Sequence, residues 1–381
     1  MSKSPQSFLL FPPGSVLGIL GDGQLGRMTA LAAARLGYRT HVFGTSAEAP
    51  AAQVTNALTC AAFEDREALA RFAEAVDVVT LEWENVPTDS LAFLAERVPV
   101  RPGASVLRVA QDRREEKTFA ASCGVPTTDW ESVNNAQELD AALVRLGRPA
   151  VLKTPRLGYD GKGQVFIGPT KAAEEAWQAL GSSEGILEAF VDFACEVSVI
   201  VARREDGVMA AYPPVRNIHR NHILATTHVP SGLPPEVEAE ADAVARRLAE
   251  RLDVVGLLAV EMFVLKAPDS EGRRVRMNEI APRPHNSGHW TIDACACSQF
   301  EQLVRAVCGL PLGETVPHHD AVMENLLGED ANGWATLLQD PSACLHLYGK
   351  TDVRAGRKMG HVTHLAPRLS GGPFLLGEAK A

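Results

Sequence analysis

The chain has no pair of cysteines at the Cys-x-x-Cys spacing of a zinc or redox site. Its seven cysteines, Cys60, Cys123, Cys195, Cys295, Cys297, Cys308 and Cys344, are scattered and odd in number. Cys295-Ala-Cys297 is too close for the usual zinc knuckle. This excludes a disulfide framework and leaves free, mostly buried thiols in a reducing compartment as the reading. Long apolar runs are also missing. No stretch approaches the roughly 20 apolar residues of a membrane span, and the opening MSKSPQSFLLFPPGS is too briefly apolar for a signal-peptide core. A cytoplasmic protein without membrane contact is expected. Nor is there an excess of positive charge: Lys plus Arg is 37 against 47 for Asp plus Glu, a net charge of -10. That balance excludes a sequence-independent grip on nucleic acid, which needs a basic surface, but leaves room for a local phosphate pocket. No internal repeat and no low-complexity tract is found.

What is present suits a large globular protein. The 381 residues imply two or three domains, and 46% hydrophobic with 22% charged residues supports a sizeable core. In the first hundred residues, short apolar runs near residues 16–20, 40–43 and 76–81 alternate with helical patterns. Such alternation implies a parallel sheet covered on both faces. From about Asp112 the pattern changes to α+β. Strands are expected at 150–154, 165–168 and 197–202, with helices at 172–180 and 235–252. Two further strands, 257–265 and 275–280, flank a polar linker. Beyond Leu312 the sequence reads as irregular, ending in short β-like pieces and a Gly/Pro-rich tail.

Several stretches carry chemistry. VLGILGDGQLGRM places Gly21, Gly23 and Gly26 in a GxGxxG spacing between strand and helix, where backbone N–H groups can approach a phosphate. A dinucleotide site also needs a carboxylate after the second strand, and Phe43-Gly44-Thr45-Ser46 has none. A tight turn, or contact with a phosphorylated or polar substrate, remains. Glu82-Trp83-Glu84-Asn85 lies at the carboxyl end of the third run, where open sheets place ligand contacts. Lys153 ends an apolar strand and is followed by GYDGKGQ. A glycine loop between two strands can act as a flap over polyphosphate, offering backbone N–H groups and Lys162. Glu261 sits inside the aliphatic strand GLLAVEMFVL, where a carboxylate needs a compensating cation. Glu279, in RMNEIAPR, is placed to meet it across a hairpin beside Asn278. That is a hard-oxygen set suited to magnesium, with manganese as a substitute, although a buried ion pair with an arginine would also explain it. APRPHNSGHW then offers Arg283, His285, Asn286 and His289 in a loop, favouring anion binding by Arg283 over a helical zinc pair. YGKTDVRAGRKMGH clusters Lys350, Arg354, Arg357 and Lys358 among glycines.

The ordered series GDGQLGRM, EWENVP, VLKTPRLGYDGKGQ, EVSV, VRNIH, VEMF, NEIAPRPHNSGHW and YGKTDVRAGRKMGH resembles the N5-carboxyaminoimidazole ribonucleotide synthases of the ATP-grasp superfamily. The likeness runs from about Gly18 to His361. It implies a mixed α/β and α+β fold in three parts: a Rossmann-like domain (1–111), an ATP-grasp domain with a mobile lobe (112–312, lobe about 112–195) and a small β-rich domain (313–381). The implied reaction is ATP-dependent carboxylation of 5-aminoimidazole ribonucleotide with bicarbonate through carboxyphosphate, in a cytoplasmic homodimer without nucleic-acid or membrane partners. Carried over by motif, Arg113, Lys153, the loop Gly158, Tyr159, Asp160, Gly161, Lys162, Gly163 and Gln164, and Glu188, Ala189, Phe190, Val191, Glu196, His219, Asn278 and Glu279 line the ATP site. Glu261 and Glu279 hold the metal. Arg283, His285 and Asn286 serve bicarbonate, and Asp160 and Lys350 join them as catalytic residues. Gln24, Leu25, Glu82, Tyr159, Lys350 and Arg357 bind the ribonucleotide. Formate-using transformylases of the same fold and nicotinamide dehydrogenases are the rival enzymes, and a nucleotide-binding regulator without turnover is the rival outside catalysis.

Overall fold

A computed structural model describes residues 9–158 and 161–368. The first sheet holds β1 (Val16–Leu20), β2 (Arg39–Gly44), β3 (Ala57–Cys60) and β4 (Val78–Leu81), all parallel in the order β3-β2-β1-β4. β1 and β4 are aliphatic because helices cover both faces of this sheet. The helix Gln24–Arg35 starts directly after the glycine turn, and Gly37, at φ +80, ends it. Asp65 caps the helix Arg66–Glu74 by accepting from the N–H groups of Glu67 and Ala68 at 3.1 and 2.9 Å.

The second sheet, β5 (Trp130–Val133), β6 (Ala150–Lys153), β7 (Gln164–Ile167) and β8 (Gly185–Ala189), is antiparallel in the order β5-β8-β6-β7. The glycine loop connects β6 to its hairpin partner β7, with the Thr154 N–H donating to the Gly163 carbonyl at 2.7 Å.

The third sheet takes the rest of the strands: β9 (Phe193–Arg203), β10 (Met209–Ala211), β11 (Val215–Arg220), β12 (Ile223–Val229), β13 (Gly256–Leu265), β14 (Val275–Ala281), β15 (His319–Leu327), β16 (Ala343–Leu347) and β17 (Lys358–Pro367). Its order is β14-β13-β9-β11-β12-β15-β17-β16, and β10 pairs with β9. The two-residue period of β9 and β13 supplies two cores. Val197, Val199, Val201, Leu258 and Val260 pack under the helix Pro235–Arg251. Ile200, Ala202, Leu257 and Ala259 pack under Leu303, Val304 and Val307 of the helix Gln299–Cys308. Further along the strands the second face turns polar, at Ser198, Glu196, Glu261 and Glu279. There the sheet stops being core and becomes site.

The expectation of an irregular segment beyond Leu312 is corrected. β15 and β17 run for nine and ten residues and extend the central sheet through β12. Their alternation is masked by Asp320, Asn325, His361 and Thr363, which are buried. The Gly/Pro-rich tail past residue 368 lies outside the described residues. All seven cysteines are free. Among the described residues no helix is long and apolar enough to cross a membrane.

Candidate active site

The β13–β14 hairpin sets Glu261 directly opposite Glu279, so both carboxylates leave the same face. The register slips immediately afterwards: Met262 pairs with Met277, and Asn278 is left as the extra residue of a β-bulge. Its Oδ1 is buried with no hydrogen-bond partner. Three hard oxygens thus gather on one hairpin, one of them unclaimed, and this donor set fits a magnesium ion.

Each carboxylate already faces a basic side chain. Glu261 lies 2.8 Å from His285 Nε2. Burial pushes the Glu261 carboxyl up, but His285 more than reverses this and holds it at about 2. Glu279 accepts from Arg113 at 2.9 Å, so the arginine ion pair weighed for the two carboxylates forms at Glu279. On β11, His219 is 2.7 Å from Glu196. Burial lowers the His219 pKa, yet the hydrogen bond to Glu196 raises it overall.

The cleft's other wall is the second sheet. Lys153, at the end of β6, donates to Glu188 of β8 at 2.7 Å. Gly161 and Gly163 take φ of +79 and +69, and a Cβ on Gly163 would stand 2.5 Å from Thr154 Oγ1. Gly158 lies beside Arg113, and a Cβ on Gly161 would meet the His222 side chain at 2.5 Å. Gln164 Nε2 is 3.2 Å from His222 Nδ1. The flap therefore rests on the turn between β11 and β12. Tyr159 and Asp160 lie outside the described residues. The N–H groups of Ala189 and Phe190 donate to the carbonyls of Asp129 and Pro149, and are spent inside the lobe. The Phe190 ring is half exposed and meets Phe166 edge-on at 5.9 Å. Val191 follows, partly buried.

The segment after β14 joins this cleft to the first sheet. Arg283 is clasped in bidentate fashion by Glu84, with one contact at 2.8 Å. His285 Nδ1 meets Ser287 Oγ at 2.8 Å, so both of its ring nitrogens are engaged. Asn286 exchanges hydrogen bonds with Asn325 of β15 at 2.9 and 2.7 Å. His289 is fully buried against Gln299 and does not join His285.

In the front glycine loop, Glu82 accepts from the N–H groups of Gly23 and Gly26 at 2.8 and 3.1 Å. A carboxylate thus occupies the anion position that a dinucleotide pyrophosphate would need. Asp22 likewise takes the N–H groups of Thr45 and Ser46. Leu25 packs its side chain against Phe300 and Tyr348. Gln24, Lys350 and Arg357 instead line one cleft of about 350 Å³ with Asp22, Gly23 and Ser46. The basic cluster and the glycine turn, 326 residues apart between Gln24 and Lys350, meet there. Lys350 donates to the Lys358 carbonyl, and Arg357 and Arg354 both pair with Asp352.

Lys117, Glu116 and Asn325 were not singled out by sequence reasoning. Glu116 is buried and accepts from the Ile280 N–H at 2.6 Å, fixing β14 beside Glu279. Glu116 and Lys117 stand in QDRREEKTFAASCG, a stretch whose pattern is that of a charged helix. The available signal was the four-residue spacing of Arg113 and Lys117, which puts two cations on one side of the helix.

Two antiparallel sheets closing on a polar cleft, with a parallel sheet alongside, is the build of an ATP-grasp ligase. The ATP-grasp domain description matches residues 118–300, the ribonucleotide synthetase preATP-grasp domain 15–111, and the phosphoribosylaminoimidazole carboxylase C-terminal domain 321–370. The N5-carboxyaminoimidazole ribonucleotide synthase of Brucella melitensis is 48% identical over 358 residues, covering 93% of this chain and 98% of that protein. A crystal structure of such a synthetase in complex with ADP superposes with a TM-score of 0.90 at 42% identity, covering 94% of each chain. The Aspergillus clavatus synthase, crystallised with ADP and 5-aminoimidazole ribonucleotide, gives 0.87 at 30% identity, covering 93% of this chain and 94% of that one. A bifunctional purine synthesis protein of Dictyostelium discoideum is 44% identical, but the chain spans only 38% of its length. The chain belongs to the N5-carboxyaminoimidazole ribonucleotide synthase family.

Proposed function

We propose that this chain carboxylates 5-aminoimidazole ribonucleotide with bicarbonate at the expense of ATP, as the names of its relatives state for those proteins. Bicarbonate is a poor electrophile. Its oxygen takes the γ-phosphoryl group of ATP, giving carboxyphosphate and ADP. The ribonucleotide amine then attacks that carbonyl carbon, or the CO2 it releases, and phosphate leaves.

The observation that carries this reading is the segment from Glu279 to Asn286. It begins in the carboxylate hairpin and passes through Arg283, which Glu84 ties to the glycine-loop sheet. Phosphoryl transfer and ribonucleotide binding are thereby adjacent. This placement supports the following assignments. Arg113, Lys153 and the flap from Gly158 to Gln164 meet the phosphates. Glu196 and His219 line the same cleft, and Val191 meets the adenine. Magnesium would be held by Glu261 and Glu279 with Asn278 beside it, and it supplies charge neutralisation at the phosphates. Arg283, His285 and Asn286 hold the bicarbonate-derived anion. Lys350 and Arg357 hold the ribonucleotide phosphate against Gln24. A homodimer, and the division at residues 111 and 312, complete the proposal.

The test is ADP release in the presence of bicarbonate or formate, with and without the ribonucleotide. Release that requires ribonucleotide and bicarbonate is expected. Dependence on formate instead would move the chain to the transformylases, and indifference to the ribonucleotide would refute the proposal.

A further inference from the structure

Lys117, on the helix Arg113–Ser122, is a fully buried lysine. Its ammonium stands 3.2 Å from Glu188 Oε1, while Lys153 reaches Oε2 of the same carboxylate at 2.7 Å. Neither Lys117 Nζ nor Glu188 Oε1 has an aligned hydrogen bond. A lysine buried on these terms is costly, and replacing it with an apolar side chain would remove that cost. Packing therefore does not explain it. Charge does.

Glu188 with Lys153 alone is a neutral pair and offers a phosphate little net attraction. With Lys117 the cluster carries one net positive charge. Nearby charges leave this count standing. Arg113 is matched by Glu279 at 2.9 Å, and burial pushes the Glu116 carboxyl up to about 8. We infer that Lys117 is a positioning residue for nucleotide binding: it neutralises Glu188 and so leaves the charge of Lys153 to the polyphosphate. This rests on the nucleotide reading given above.

The experiment is calorimetric titration of ADP into the parent, Lys117→Met, Glu188→Gln and the double variant. Their clusters carry net charges of about one, zero, two and one. Affinity should follow that order. Lys117→Met should bind roughly ten- to a hundredfold more weakly, and the double variant should return to within about threefold of the parent. Should Lys117→Met not fold, the comparison of Glu188→Gln with the double variant still decides, because both lack Glu188 and differ only in the charge at residue 117. There the loss of one positive charge must weaken ADP binding. Parent-like binding by Lys117→Met, or a double variant as weak as Lys117→Met, overturns the inference. If the parent itself fails to bind ADP, the nucleotide site falls, and this inference with it.

Discussion

Replacing Glu279 by Gln separates catalytic from structural use of the hairpin carboxylates. The substitution keeps the shape and one oxygen but removes the charge. On the structural side, Glu279 accepts from Arg113 at 2.9 Å, and the two side chains are 39% and 16% exposed. The glutamine oxygen still accepts from Arg113, so what is lost is the charge assistance, about 1 kcal/mol in a pair that is partly open to water. For a chain of this size that is a melting shift of only a few degrees. On the catalytic side, one of two carboxylates facing each other across the hairpin is gone. Loss of such a preorganised electrostatic contact typically costs about 10²- to 10³-fold in rate, or about 3–4 kcal/mol of barrier. The assay is ADP release with ribonucleotide and bicarbonate, alongside a thermal melt of the same preparation. A rate within tenfold of the parent would refute the metal assignment. A collapse in melting temperature with proportional loss of activity would show that this glutamate holds the fold.

Glu82→Ala strips the acceptor from the N–H groups of Gly23 and Gly26, at a cost of about 1–3 kcal/mol for each donor left unpaired. The KM for the ribonucleotide should rise at least about tenfold while ADP affinity holds; an equal fall in ADP affinity would contradict the separation of the two subsites. Gly163→Ala places a Cβ 2.5 Å from Thr154 Oγ1 at φ +69, a strain of about 1 kcal/mol or more where the loop joins β7. We expect kcat to fall with the melting temperature nearly unchanged, and a parent-like kcat would remove the flap from the mechanism. Glu188 governs acid stability. Burial raises its pKa, but Lys153 and Lys117 hold it down to about 2, below its ordinary 4.5. The stabilisation is therefore fully present above pH 4.5 and is lost as pH falls from 4.5 towards 2, an amount on the order of 3 kcal/mol. Melting temperatures between pH 5 and 3 should drop more steeply for the parent than for Glu188→Gln; parallel curves would show that the cluster does not stabilise the fold through Glu188.

The sequence is most legible where one residue violates its surroundings. Glu261 among aliphatic neighbours and Lys153 at the end of an apolar strand both announce a compensating partner, and the fold brings His285 to Glu261 at 2.8 Å and Glu188 to Lys153 at 2.7 Å. The bulge at Asn278 has no such signature, because a register slip is decided by the partner strand. Lys117 is hidden for a different reason: its carboxylate lies 71 positions away on β8, and a lone Lys in a charged helix looks solvated. β15 and β17 went unread because their buried histidines and amides meet their partners only in the folded chain, as His361 meets Tyr348 at 2.8 Å. Strand propensity is largely a record of such neighbours. The edge strand β3, half exposed along its length, offers too little pattern to recognise.

The pairing of charges in the cleft explains more than any single residue there. Arg283 is held by Glu84, Arg113 by Glu279, Lys153 by Glu188, His219 by Glu196 and His285 by Glu261. Each carboxylate fixes a flexible basic side chain before any ligand arrives, so less side-chain entropy is lost on binding and less reorganisation is needed during reaction. The same carboxylates cancel the charge they position. Unassisted, a polyphosphate would meet a nearly neutral wall. Two features offset this: the additional buried charge of Lys117 behind Lys153, and a hard-oxygen hairpin suited to a divalent cation. The arrangement therefore favours a nucleotide that brings a metal ion with it over a bare anion of equal charge.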